Sequence, residues 1–263
     1  MEGRRKKEEG RRKREEGRGK KEEGRRKREG CQLSTIRAST GASPLPQVNC
    51  QLSIIKMLFT LNIKLLGGFC LSHAGRPVIG ITTERLKALL AYLVLHRDIP
   101  QTRQRLAFQF WEDSTEVQAR TNLRRELHHL RQGLPDADRL LLADAKTLQW
   151  NPDGPFVLDV AEFERAFATA TAAERDRDVN AARTAWEQSI QLYSGDLLPG
   201  CEDEWVFPER EHLRQKLLQA LESLTRLSEA EGDYRAAIRC AQRLLELDPL
   251  HEASYVALMR SHH

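Results

Sequence analysis

Leucines 123, 127, 130 and 134 fall within about 60° of one another on a helical projection, and this stripe constrains the fold more than any other feature of the chain. It runs through the stretch WEDSTEVQARTNLRRELHHLRQGL, Trp111–Leu134. A helix starting near Ser114, a residue type that accepts hydrogen bonds from first-turn amides, must bury that stripe against other helices. Opposite the leucines stand Gln118, Thr121, Asn122, Arg125, His128, His129 and Gln132, with Glu126 to the side. A polar outer face is ordinarily just a solvated one. Here its centre carries no acidic residue, and Arg, Asn and Gln present paired donors and acceptors that match base edges in the major groove. Gln118, Thr121, Asn122, Arg125 and His128 are therefore candidate base readers. Arg120, Arg124 and Arg131 are candidate phosphate contacts, which fix register rather than sequence. The adjacent His128 and His129 diverge by about 100°, and no carboxylate or thiol completes a metal site; no metal or other cofactor is expected.

The neighbours of this helix set its context. Leu58–Leu71 and Arg76–Ile81 read as two strands joined at His73-Ala74-Gly75. Thr83 then caps a helix in which Leu86, Leu89, Leu90, Leu93 and Val94 recur at helical spacing. Asp98-Ile99-Pro100 ends it, and Thr102 opens a short second helix with Leu106, Phe110 and Trp111 as core. After the third helix, Leu140–Ala143 and Thr147–Trp150 flank a glycine-free turn at Asp144-Ala145-Lys146. Helix, helix, helix and hairpin is the order of a winged helix-turn-helix. Lys146, near the hairpin tip, joins the phosphate candidates.

From Phe156 the pattern is helical throughout: Val160–Ala173, Val179–Tyr193, Trp205–Glu231, Tyr234–Leu247 and Glu252–Arg260. Gly232, Tyr234, Ala237, Ala241, Leu244 and Pro249 follow the spacing of a tetratricopeptide unit, in which small residues let paired helices approach closely; Ala182, Trp186 and Ser189 echo it. Stacked helix pairs form grooves that bind helices or peptides. The fold class is thus mainly α, an N-terminal α+β winged helix (57–155) followed by an all-α tetratricopeptide-like repeat domain (156–263). The last helix lacks a partner, which implies a chain truncated before its array is complete.

Residues 1–30 contain 15 Lys/Arg and 8 Glu in a repeating unit of the type RRKREEG, while the rest of the chain carries 27 basic and 30 acidic residues. Bulk charge therefore does not argue for nucleic acid; only local clustering can. The repeat has no apolar positions to build a coiled-coil seam. Residues 1–56 read as a low-complexity, disordered tail, a basic arm that binds phosphates non-specifically being the other reading, and Met57 as the natural start. Five widely spaced cysteines suit reduced thiols. Ile54–Leu71 holds Lys56 and Lys64 and too few uninterrupted apolar residues to span a bilayer, so no membrane association is expected.

Several segments in order resemble the SARP-type bacterial transcriptional activators. They are Leu65-Leu66-Gly67-Gly68-Phe69, LKALLAYLVLHRD, AFQFWEDSTEVQARTNLRRELHHLR, Leu158–Glu164, Gly195–Gly200 and Asp203-Glu204-Trp205. That family joins an OmpR/PhoB-type winged helix to a bacterial transcriptional activation domain (BTAD). The resemblance implies a non-enzymatic, cytoplasmic, nucleoid-associated activator. Such a protein binds double-stranded DNA at direct-repeat promoter sites as a homodimer and recruits polymerase through its sigma factor. The sequence leaves two other readings open: a protein-interaction scaffold, and the sensory front end of a larger signalling ATPase, although no G-x-x-x-x-G-K-[ST] phosphate loop occurs in this chain.

Overall fold

A computed structural model describes residues 60–261; the expectations for residues 1–56, the Met57 start and the beginning of the first strand lie outside the described residues. Four strands form the N-terminal sheet, β1 (Leu61–Lys64), β2 (Cys70–His73), β3 (Arg76–Pro77) and β7 (Phe156–Leu158), in the order β3-β2-β1-β7. β1 pairs antiparallel with β2, Leu61 opposite His73, and parallel with β7, Leu61 opposite Phe156.

Two sequence expectations are corrected here. Leu58–Leu71 is not one strand. The alternation that buries Leu61 and Ile63 breaks where Leu65 and Leu66 are both buried in succession, and Gly67, at φ 73°, turns the chain before β2. Phe156 does not open the helical region either. Residues 156–158 add a strand to the N-terminal sheet, and the helix begins only at Asp159. The β2–β3 connection is a two-residue turn with Ala74 and Gly75 both at positive φ, matching the strong twist of a tight hairpin. β3 stops early because Pro77 has no N–H to donate, tolerable only on an edge strand.

Helix α1 (Glu84–Leu95) is capped by the Thr83 hydroxyl, which accepts from the Leu86 amide. It is buried at every position from Ala88 to Val94, as befits a central helix. Strand β4 (Gln101–Thr102) precedes α2 (Arg103–Phe110), capped by Thr102. Helix α3 (Glu116–Gly133) is capped by Thr115, one residue later than Ser114, and a single turn, α4 (Ala137–Leu140), leads to β5 (Leu141–Ala143) and β6 (Thr147–Trp150). β4 also pairs with β6, so the wing is a three-stranded sheet in the order β4-β6-β5.

Five further helices follow: α5 (Asp159–Arg175), α6 (Val179–Leu192), α7 (Val206–Ala230), α8 (Tyr234–Leu247) and α9 (Glu252–Ser261). Each packs on the next or next but one. Ala237, Ala241 and Leu244 are buried, as the repeat spacing requires, while Tyr234 is half exposed. Gly232 makes the α7–α8 turn at φ 76°.

One hydrophobic core runs through the winged helix and these helices. The Asp159 carboxylate, at the start of α5, accepts the Leu65 and Leu66 amides at 2.8 and 2.9 Å. Segment 194–200 lies along the same bend: Gly67 N–H donates to Asp196 C=O, Leu198 N–H to Leu65 C=O, and the Ser194 hydroxyl to Leu66 C=O. Arg210 then donates to the carbonyls of Leu197, Leu198 and Cys201. Trp205 stands edge-on to Tyr92 of α1, ring centres 5.2 Å apart, and 6.4 Å from Phe110 of α2. Arg85 pairs with Asp203 at 3.1 Å.

Candidate nucleic-acid interface

Leu123, Leu127, Leu130 and Leu134 are all buried, with Ala119 beside them. They hold α3 against α2 and α1 and leave its other face to solvent. The C-terminal end of α3 is fixed by a backbone contact: a Cβ on Gly133 would lie 2.7 Å from the Gly80 carbonyl, and one on Gly80 would lie 2.5 Å from Gly133 Cα. Only glycine at both positions allows this approach.

On the outer face Gln118, Thr121, Arg125, His128 and His129 are exposed and Asn122 is half-buried. The Gln118 amide donates to Asn122 Oδ1 at 3.0 Å, so these two form one unit on successive turns. The Thr121 hydroxyl donates to the Val117 carbonyl one turn back, leaving its lone pairs outward. The His128 and His129 rings stand 6.2 Å apart and tilted, and no group of three or more metal-ligating side chains comes together among the described residues.

Arg120, Arg124 and Arg131 occupy one flank of α3, at about −160°, −120° and −140° from Gln118. Arg120 is drawn to Glu116 at 2.6 Å. Arg124 and Arg131 have no ion-pair partner among the described residues, so they face solvent as free cations. Glu126, expected at the side of the helix, is instead buried: 7% exposed, with Oε1 3.5 Å from Arg125 Nε and Oε2 3.9 Å from His129 Nδ1.

The wing turn is built without glycine. The Asp144 carboxylate accepts the Lys146 and Thr147 amides, both at 2.6 Å, and the Thr147 hydroxyl at 2.8 Å. Those bonds, from the Thr147 amide first, hold its carboxyl below the ordinary carboxylate value. An aspartate side chain thus supplies the turn that glycine usually makes, and Lys146 sits on that ordered tip. Arg103, which the sequence did not single out, ties the wing to α2: its Nε donates to the Asp144 carbonyl and its amide to the Lys146 carbonyl. The signal was Pro100 followed by Gln101-Thr102, a two-residue strand too short to show alternation.

This fold has counterparts among known proteins. Residues 158–263 match the family model for the bacterial transcriptional activator domain, BTAD. The chain's fold is similar to that of Mycobacterium tuberculosis EmbR, solved in complex with a low-affinity phosphopeptide, with a TM-score of 0.65 and 24% identity. The likeness covers 76% of this chain and 54% of EmbR, so the chain spans about half the length of the protein it matches. No curated protein sequence matches it. The chain therefore has a winged-helix-like N-terminal part followed by helices that match the BTAD model, and no helix among the described residues is long and apolar enough to cross a membrane.

Proposed function

We propose that the chain is a sequence-specific DNA-binding transcriptional activator. Helix α3 enters the major groove, with Gln118, Thr121, Asn122, Arg125 and His128 toward base edges. Arg120, Arg124 and Arg131 hold phosphates on its flank, and Lys146 on the wing reaches the neighbouring backbone. The BTAD supplies dimerisation on direct repeats and contacts to the polymerase sigma factor or a regulator. The protein works in the cytoplasm at the nucleoid, and its activity requires no chemistry of its own.

The observation that carries this reading is the division of α3. One face is fixed by four buried leucines and the Gly80–Gly133 contact; the other presents amide, imidazole and guanidinium groups beside unpaired arginines. Preorganised polar groups on a rigid helix are what direct readout needs. Replacing Arg125 by Ala is expected to weaken specific binding by about 1–3 kcal/mol and relax preference at one base position. A footprint and base preference unchanged from the parent protein would remove α3 from the groove.

One observation favours protein contact by the same domain. Phe108, 72% exposed, lines a cleft of about 550 Å³ between α2 and the first turn of α3, and Val117 on that turn is 77% exposed. A winged helix used only in that way would bind DNA without a steep salt dependence.

A further inference from the structure

Glu126 is the one residue of α3 whose burial contradicts its chemistry. Its side chain is 10% exposed, while Arg125 and His129 beside it are 62% and 49% exposed. Oε2 is fully enclosed and makes no hydrogen bond among the described residues. A buried carboxylate left unbonded is costly, and a leucine would extend the apolar stripe without that cost. What the carboxylate does touch is on the outer face. Consecutive helical residues diverge by about 100°, yet the Arg125 guanidinium leans back so that Nε comes within 3.5 Å of Oε1. On the next turn, His129 points Nδ1 toward Oε2 at 3.9 Å.

We propose that Glu126 is a positioning residue for base recognition, orienting Arg125 and His129 from beneath the reading face. This rests on the reading of α3 as the DNA-recognition helix. With Nε turned to the carboxylate, the two terminal Nη groups of Arg125 are left as the fork, the pair that reaches guanine O6 and N7. With Nδ1 turned to the carboxylate, Nε2 is the His129 nitrogen left to meet a base. His129 thereby joins the base readers, with Nε2 accepting when the ring is neutral. An ordered arginine fork also loses less side-chain freedom on binding than a free one. The partner chemistry is a guanine and a neighbouring base bearing an exocyclic amino group.

The test uses the full chain and Glu126→Gln, a substitution of the same shape without the charge. Random-duplex selection, specific and non-specific affinities, and thermal unfolding are measured for both. The expected result is a specific-to-non-specific ratio lowered on the order of tenfold, with the lost preference confined to the positions that Arg125→Ala and His129→Ala also relax. The unfolding midpoint stays or rises, since a buried unbonded charge has gone. Adding Glu126→Gln to the Arg125→Ala, His129→Ala double variant should add almost nothing to the loss, because the three act as one unit. An unchanged preference, a uniform weakening with a lowered midpoint, failure of Glu126→Gln to fold, or additive losses would each overturn the proposal. If the parent chain selects no sequence, the DNA-binding reading falls and this proposal with it; if the parent selects and Glu126→Gln selects the same, only this proposal falls.

Discussion

Asp159 and Glu126 are both largely withdrawn from water, and the protein treats them in opposite ways. Asp159, at the junction of the N-terminal part and the C-terminal helices, accepts three backbone amides: Leu65, Leu66 and its neighbour Val160. Glu126, on α3, has one oxygen with no hydrogen bond among the described residues. At the junction Ser194, Asp196, Leu198 and Arg210 all find partners. The outer face of α3 is left open, with free arginines outside and an unbonded carboxylate inside. A region whose polar groups are all paired is built to stay put; one whose groups are unpaired is built to meet something. Changes at the junction should therefore cost stability and leave base preference alone, and changes on α3 should do the reverse.

The largest effect is expected from Trp205→Ala. Trp205 is 8% exposed and packs edge-on against Tyr92, with Phe110 beyond it. Its removal leaves a cavity between the two parts and should cost about 3–5 kcal/mol in denaturant unfolding. If it instead unfolds the C-terminal helices alone in a separate transition, the two parts are not one cooperative unit and the comparison fails. Asp159→Ala comes next, at about 3 kcal/mol, because it strips the acceptor from the Leu65, Leu66 and Val160 amides.

Asp159 also makes a pH statement. Burial, outweighing the amide bonds from Leu66, Leu65 and Val160, pushes its carboxyl above the ordinary value. A carboxyl with a raised folded-state value binds its proton more tightly folded than unfolded. Its contribution is present below the ordinary carboxylate value near 3.8 and is lost as pH rises through the folded one. Relative to Asp159→Asn, the parent protein should gain stability as pH falls across that acid window. A difference that shrinks there would mean the amide bonds dominate burial.

The two regions also differed in how far they could be read without coordinates. The leucine stripe of α3, the caps at Thr83 and Thr102, the wing strands and the boundaries of α8 were legible, because each is local: a period, a side chain one turn from its amide, a hairpin. The junction was not. Nothing local says that Phe156–Leu158 will pair in parallel with a strand some ninety residues earlier, or that a loop from 194 to 200 will interrupt Leu58–Leu71. Both are long-range backbone pairings whose signal lies in the partner. Glu126 was misplaced for a related reason: at about 80° from Gln118 it sits on the border of the helical projection, and only the packing against neighbouring elements decides which side of the border is inside.

The smallest expected effect separates the two kinds of cation on α3. Arg124 has no ion-pair partner among the described residues, and it lies on the flank with Arg131, away from Glu126. A phosphate contact neutralises charge without reading sequence. Arg124→Ala should therefore reduce the slope of log affinity against log salt by about 0.9, weaken specific and non-specific duplexes alike, and leave the selected sequence intact. Glu126→Gln touches no phosphate and should leave that slope where it is while changing the selected sequence. If Arg124→Ala alters base preference instead, the flank and the face of α3 are not functionally distinct. The outer surface of the helix would then have to be redrawn with Arg124, not Arg125, over the bases.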